Sequence, residues 1–286
     1  MLNKMIGEVE DPCTQTLERL KEYYVEFKGM IRSKENESQS PGFNDIVKFL
    51  VRYEKYFEFQ SCTTPLELAI QKYHPDVVNI LLDYRASMHL PGYKSSLLHL
   101  AIWCGKDRTE IVEVLLHNGH KVDVIDLYDR TPLQYCIYHE LRNVAKLLMK
   151  YGANANSKDG LKNGNSLLHL AILRKSYDIL ELLLINGACA NVINNDFDTP
   201  LAIAIRRNLS EKFLKLLILF GADTSYKFPN GLSLLHDAIK RRCFVAIKNL
   251  ISNGLSLNIR DFKGQNALEY ALKKDFSISK ILIYKK

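Results

Sequence analysis

Apolar and polar positions along this chain fall into one short phrase that returns seven times, clearest as Ser166-Leu-Leu-His-Leu-Ala-Ile172. The copies open at residues 64, 96, 131, 166, 199, 233 and 266, in steps of 32, 35, 35, 33, 34 and 33. A Thr-Pro or Ser-Leu pair begins each of the first six, which suits a helix start: the hydroxyl caps the first turn and proline tolerates its first position. The seventh opens with Asn266-Ala. After a break comes a second apolar run such as Asp178-Ile-Leu-Glu-Leu-Leu-Leu-Ile185, ended by a glycine such as Gly152, Gly187 or Gly221. Glycine there admits the left-handed conformation that closes a helix. A lone helix pair cannot bury its apolar faces, whereas stacked copies share one elongated core.

Upstream, residues 11–32 predict one amphipathic helix, with Asp11 as cap and Pro12 in its first turn. Its apolar stripe is Leu17, Leu20, Tyr24, Phe27 and Ile31. Residues 33–42 hold only turn and solvated side chains and predict a flexible linker. A second helical pattern covers Phe43–Phe59, with Ile46, Val47, Phe49, Leu50 and Tyr53 on its apolar face.

The pattern T-P-L-x-x-A followed by V-x-x-L-L-x-x-G-A resembles the ankyrin-repeat family over about 60–286, since motif, period and glycine positions agree together. Repeats two, four and six depart from it with Ser-Leu in place of Thr-Pro. The resemblance implies an all-α solenoid of stacked antiparallel helix pairs with projecting hairpin-like loops. It also implies a concave face made of the first helices and the loop tips. The expected organisation is an N-terminal helix and linker over 1–42 and a repeat domain over 43–286. Within that domain, 43–60 forms a degenerate N-terminal cap, and repeats begin near 61, 93, 128, 163, 196, 230 and 263. The last is expected to close the stack through Phe276–Tyr284, with Ser277, Ser279 and Lys280 as its polar positions.

Composition narrows the class further. No apolar run reaches the roughly 18–20 residues of a membrane span, and Met1–Glu10 lacks the apolar core of a secretory signal. The six cysteines are scattered without metal-ligand spacing. These features predict a reduced intracellular protein, cytoplasmic or nuclear, with no membrane association. The net charge of +7 is uneven: −2 over 1–60, −1 over 61–205 and +10 over 206–286. An asymmetry of this kind speaks to partners, not to fold.

No phosphate loop, zinc-protease, nucleophile-elbow or EF-hand motif is present. His99, His169 and His236 share one slot of the repeat. The resemblance gives that slot a structural role, bonding the backbone of neighbouring loops. Asn156, Asn191 and Asn258 lie in a loop slot that is hydroxylated in some members of the family. Catalysis needs unlike residues converging on a point, and a repeat spreads like residues along a line. The reading is therefore non-catalytic, with no cofactor and no metal.

The resemblance also points the residues that end each first helix into the concave face. Tyr73, Trp103, Tyr138 and His139 occupy these positions in repeats one to three. Arg174, Lys175, Arg206, Arg207, Lys240, Arg241, Arg242, Lys273 and Lys274 occupy them in repeats four to seven. Aromatic side chains anchor protein interfaces, and aligned cations steer acidic partners. The plainer explanation is that helix C-termini favour cations by about 0.3–1 kcal/mol, but repeats two and three have no lysine or arginine there.

The expected function is an intracellular protein–protein interaction module that binds an acidic or phosphorylated partner segment. A modulator of host signalling fits an AT-rich coding style similar to that of poxviruses, insect viruses and intracellular bacteria, and it resembles the NF-κB inhibitors. One alternative is a ubiquitin-ligase substrate adaptor. Only about 14 residues follow the last motif, so this reading needs the N-terminal helix to recruit the ligase. A second alternative is a binder of nucleic acid or an oligonucleotide, through aromatic stacking beside a basic groove, with a steep salt dependence as its mark.

Overall fold

The computed structural model describes residues 14–32, 42–53, 63–87, 96–104, 108–158, 163–274 and 276–283, the side chains of 14–17, 274, 276, 277 and 281 excepted. Asp11, Pro12, residues 33–41 of the expected linker and the end of the expected second helix lie outside them. The chain forms two compact units, Met1–Leu127 and Tyr128–Lys286.

The first unit holds α1 (Thr14–Arg32), α2 (Phe43–Arg52), α3 (Pro65–Lys72), α4 (Pro75–Asp83), α5 (Leu97–Trp103) and α6 (Thr109–His117). α1 packs on both α2 and α3. Its apolar stripe is buried at Leu20, Tyr24, Phe27 and Ile31, and Phe27 stacks on Phe43 with ring centroids 6.1 Å apart. Two polar ties fix its register: the Tyr24 hydroxyl donates to the Thr63 carbonyl, and His74 Nε2 donates to the Ile31 carbonyl at 2.7 Å. The N-terminal helix is therefore part of the first core.

The second unit holds five helix pairs: α7 (Pro132–Tyr138) with α8 (Arg142–Lys150), α9 (Leu167–Leu173) with α10 (Tyr177–Ile185), α11 (Pro200–Arg206) with α12 (Glu211–Leu219), α13 (Leu234–Lys240) with α14 (Phe244–Ser252), and α15 (Ala267–Lys274) with α16 (Phe276–Ile283). The first helices stack in one row, α7, α9, α11, α13 and α15, and α8, α10, α12 and α14 stack in another. Leu133, Leu168, Leu201 and Leu235, each the third residue of its phrase, are all buried. So are the alanines Ala171, Ala204, Ala238 and Ala271, whose small size lets neighbouring helices approach. In α16, Ser279 is fully buried while Lys280 faces outward, and the side chain of Ser277 lies outside the described residues.

Capping forms where the pattern placed it. Thr131 and Ser166 open their helices with reciprocal side-chain-to-backbone bonds to Gln134 and His169, as Thr64 does with Glu67 in the first unit. Isolated antiparallel bridges at Lys158–Ser166 and Lys227–Ser233 give the loops their hairpin character. The asparagine slot couples successive loops. Asn156 Nδ2 donates to the Gly187 carbonyl at 3.1 Å while its Oδ1 accepts from the Cys189 amide at 2.8 Å. Asn191 repeats the arrangement with Gly221 and Asp223.

Each first helix of the middle repeats ends in a left-handed residue. Lys175 (φ 58°) donates its amide to Ile172 and Ser176 donates to Ala171, and Arg242 (φ 56°) with Cys243 repeats the pair of bonds. Side chains other than glycine are strained in this conformation by about 1–2 kcal/mol, partly offset by glycine's greater loss of chain entropy. Lys175→Gly is expected to raise stability by about 0.5–1 kcal/mol, read as a higher urea midpoint at unchanged slope.

Candidate functional site

Every candidate site residue with a described side chain lies in the last positions of a first helix or in the cap that follows it. Tyr73 and Trp103 belong to the first unit. Tyr73 is left-handed (φ 64°) and 40 % exposed. Arg108 lies 5.4 Å above its ring and donates to the Gln71 carbonyl and to that of Ile70, which also accepts from the Tyr73 amide, at the end of α3. Trp103 is the last residue of α5 and is 62 % exposed.

The other candidates lie in the second unit. Tyr138 is half-buried, with the Arg174 guanidinium 4.8 Å from its ring centroid, so these two neighbouring slots form one cation–aromatic pair. His139 is exposed and stacks on Tyr135 at 6.3 Å. Arg174, Lys175, Arg207, Lys240, Arg241, Arg242 and Lys273 are exposed, while the side chain of Lys274 lies outside the described residues.

Arg206 departs from the row of exposed cations. It is half-buried, its Nη1 bonds Asp198 Oδ2, and its Nε lies 3.3 Å from Asp237 Oδ2. The Phe228 ring lies 4.7 Å from the guanidinium carbon. Asp237 also takes Arg241 Nε at 3.0 Å, so two arginines of the expected row share two buried aspartates inside the chain. Burial pushes the Asp198 carboxyl above its ordinary value, and Arg206 offsets this only in part. Sequence reading missed both aspartates. A signal existed for one of them: Asp237 occupies the slot that holds leucine at Leu100 and Leu170.

The histidines take the structural role expected of their slot. The Ser166 amide, which can only donate, lies 3.0 Å from His169 Nδ1, so Nδ1 is the unprotonated nitrogen. Nε2–H then donates to the Asp198 carbonyl at 2.9 Å, joining a helix start to the next loop. His236 Nε2 reaches the Gln265 carbonyl at 3.2 Å in the same way. Burial lowers the His236 pKa and holds that of His169 at about 4. Among the described residues no group of three or more His, Cys, Asp and Glu side chains could hold a metal ion, and no helix is long and apolar enough to cross a membrane.

A stack of short capped helix pairs with projecting loops defines a repeat solenoid that presents a surface. The profile described as "Ankyrin repeats (3 copies)" matches residues 38–126, 98–196 and 201–286. The chain belongs to the ankyrin-repeat family, whose repeats are protein-interaction modules. It is 32 % identical to Inversin of Canis lupus familiaris over 183 residues, 62 % of this chain and 16 % of that protein. It is 31 % identical to an ankyrin-repeat protein of Fowlpox virus (strain NVSL) over 122 residues, 42 % of this chain and 16 % of that one. The chain thus spans about a sixth of the length of these relatives. Among solved structures, the ankyrin-repeat domain of Bcl-3, described as a member of the IkappaB protein family, superposes with a TM-score of 0.68 at 20 % identity. The match covers 77 % of this chain and 98 % of that domain, and it is a likeness of fold.

Proposed function

We propose that the chain is a non-catalytic module that binds an acidic or phosphorylated segment of a partner protein through the first-helix ends of residues 128–286. The observation that carries this reading is the asymmetry of pairing in that unit. Arg207, Lys240 and Lys273 are exposed, whereas Asp198 and Asp237, the acids beside this row, are buried and already held by arginines. A partner meeting this face therefore meets net positive charge, which speeds association and selects acidic segments. Likeness to Bcl-3 and to a poxvirus protein supports seeking the partner among host signalling proteins, in the cytoplasm or nucleus.

The adaptor alternative finds less support. The apolar stripe of α1 is used inside the first core, and its outer positions are the charged Glu18, Arg19, Lys21, Glu22 and Glu26, with Val25 the large apolar side chain exposed among its described residues. The test is Arg207→Glu with Lys240→Glu, sites that avoid the buried arginine network. The double variant is expected to keep the thermal midpoint of the parent and to lose its strongest partners in a lysate capture. Retention of every partner sinks the reading. Partners that vanish on nuclease treatment of the parent's lysate transfer the site to nucleic acid.

A further inference from the structure

The loop before each first helix of residues 128–286 turns on a positive-φ residue placed two positions ahead of the capping residue. Three of these are Gly164, Gly231 and Gly264, and one is Asp129, a residue type that tolerates the left-handed region. The fifth is Phe197, at φ 59°. Glycine has a packing reason in two of the loops: a Cβ on Gly164 would lie 2.6 Å from Asn195 Oδ1, and one on Gly231 would lie 3.0 Å from the Phe262 backbone nitrogen. A bulky side chain in this conformation is a genuine outlier. It gains little inside the fold, because Phe197 is 56 % exposed. Glycine at this position would remove the strain and the exposed ring together.

The turn is held against its strain from several directions. Asn194 Oδ1 accepts from the amides of Asp196 and Asp198 at 3.0 and 2.9 Å, and the Tyr226 hydroxyl donates to the Phe197 carbonyl at 2.7 Å. Strain maintained this way clusters at ligand-binding and switch positions. The next residue, Asp198, is bonded directly to Arg206, whose chain neighbour Arg207 is exposed. An exposed aromatic ring and an exposed cation thus flank one ion pair. Asp196, the residue before Phe197, is also exposed.

We propose that Phe197 is the apolar anchor of the partner site, and that the segment it receives carries an aromatic or leucine side chain next to a run of carboxylates. This rests on the acidic-partner reading and adds the apolar requirement to it. The probes are a fluorescein-labelled polyglutamate peptide, the same peptide with one central phenylalanine, and a polylysine peptide with that phenylalanine. Binding to the full chain is read by anisotropy. The acidic peptide with phenylalanine is expected to bind about tenfold tighter than polyglutamate. Phe197→Gly is expected to erase that preference, leave polyglutamate binding in place and raise the thermal midpoint by about 2–4 °C. Arg207→Glu is expected to weaken both acidic peptides. A preference that survives Phe197→Gly, or equal binding of the two acidic peptides to the parent, overturns the anchor. If only the polylysine peptide binds, and Phe197→Gly abolishes it, the anchor stands and the acidic-partner reading falls.

Discussion

Arg206→Ala is expected to destabilise the chain by about 2–4 kcal/mol at neutral pH, more than removal of any neighbouring surface arginine. The loss comes from the aspartates left behind. Asp198 is 6 % exposed and Asp237 4 % exposed, and Asp198 Oδ1 is buried without a hydrogen-bond partner. Arg206 is the cation bonded to Asp198. Removing one partner of a buried pair strands the other charge, at a typical cost of about 3–5 kcal/mol. Arg206 retains 29 % side-chain exposure, so water recovers part of that. The deficit should shrink as pH falls, because Asp198, already shifted upward by burial, takes a proton in the folded variant before it does in the unfolded chain. Adding Asp237→Leu, the residue type found at Leu100 and Leu170, should recover part of the loss by replacing a buried charge with a packed side chain. Denaturation followed by circular dichroism decides the matter. A loss below about 1 kcal/mol would place the network with ordinary surface pairs.

The second large effect is acid lability centred on His169. Its folded pKa of about 4 lies below the ordinary imidazole value of 6.5 because burial disfavours the charged ring. Nδ1 is also occupied as an acceptor from Ser166. Above pH 6.5 the ring is neutral in both states and its contribution is complete. Between 6.5 and 4 the unfolded chain takes a proton that the folded chain refuses, so stability falls as pH falls, by about 3 kcal/mol from this residue. Burial moves His236 in the same direction.

The chain contains its own control. Gln134 fills the same slot in the third repeat, its Oε1 accepting from the Thr131 amide at 2.7 Å and its Nε2 donating to the Lys158 carbonyl at 2.7 Å. Glutamine thus also accepts from the cap amide and donates to a carbonyl of the next loop, there eight residues before the following cap and not one, and it has no proton to gain. His169→Gln is expected to hold neutral-pH stability within about 1 kcal/mol of the parent and to flatten the loss between pH 6.5 and 4. Equal acid sensitivity in parent and variant would assign the effect elsewhere.

The two expected effects act in different parts of one repeating device. A repeat gives each slot a default duty: the histidine or glutamine ties a helix start to the next loop, and the helix end is left for solvent or a partner. Function has to be written as deviations from those defaults. Asp237 in a leucine slot and Phe197 in a glycine slot depart from those defaults: Asp237 bonds Arg206, and Phe197 precedes Asp198 in the chain.

The family resemblance supplied the structural duty of the histidines, while the sequence alone determined the repeat, its period, the capping residues and the glycine ends. These follow from local rules: a Thr-Pro or Ser-Leu start, an apolar stripe at helical spacing and a left-handed stop each act within a few residues. It also placed the candidate cations at the ends of first helices. What only the tertiary structure decided is which of those cations remain available. Arg206 and Arg207 are adjacent and alike in sequence, yet one meets Asp198 and Asp237 while the other faces water. Asp237 lies 31 residues from Arg206, and the pairing exists only because stacking brings successive first helices side by side. Likewise, a phenylalanine in a loop reads as ordinary until its backbone is seen in the conformation that neighbouring loops reserve for glycine. Charge pairing and backbone strain depend on which residues the fold brings together, and those contacts are set between repeats, beyond the reach of any local pattern.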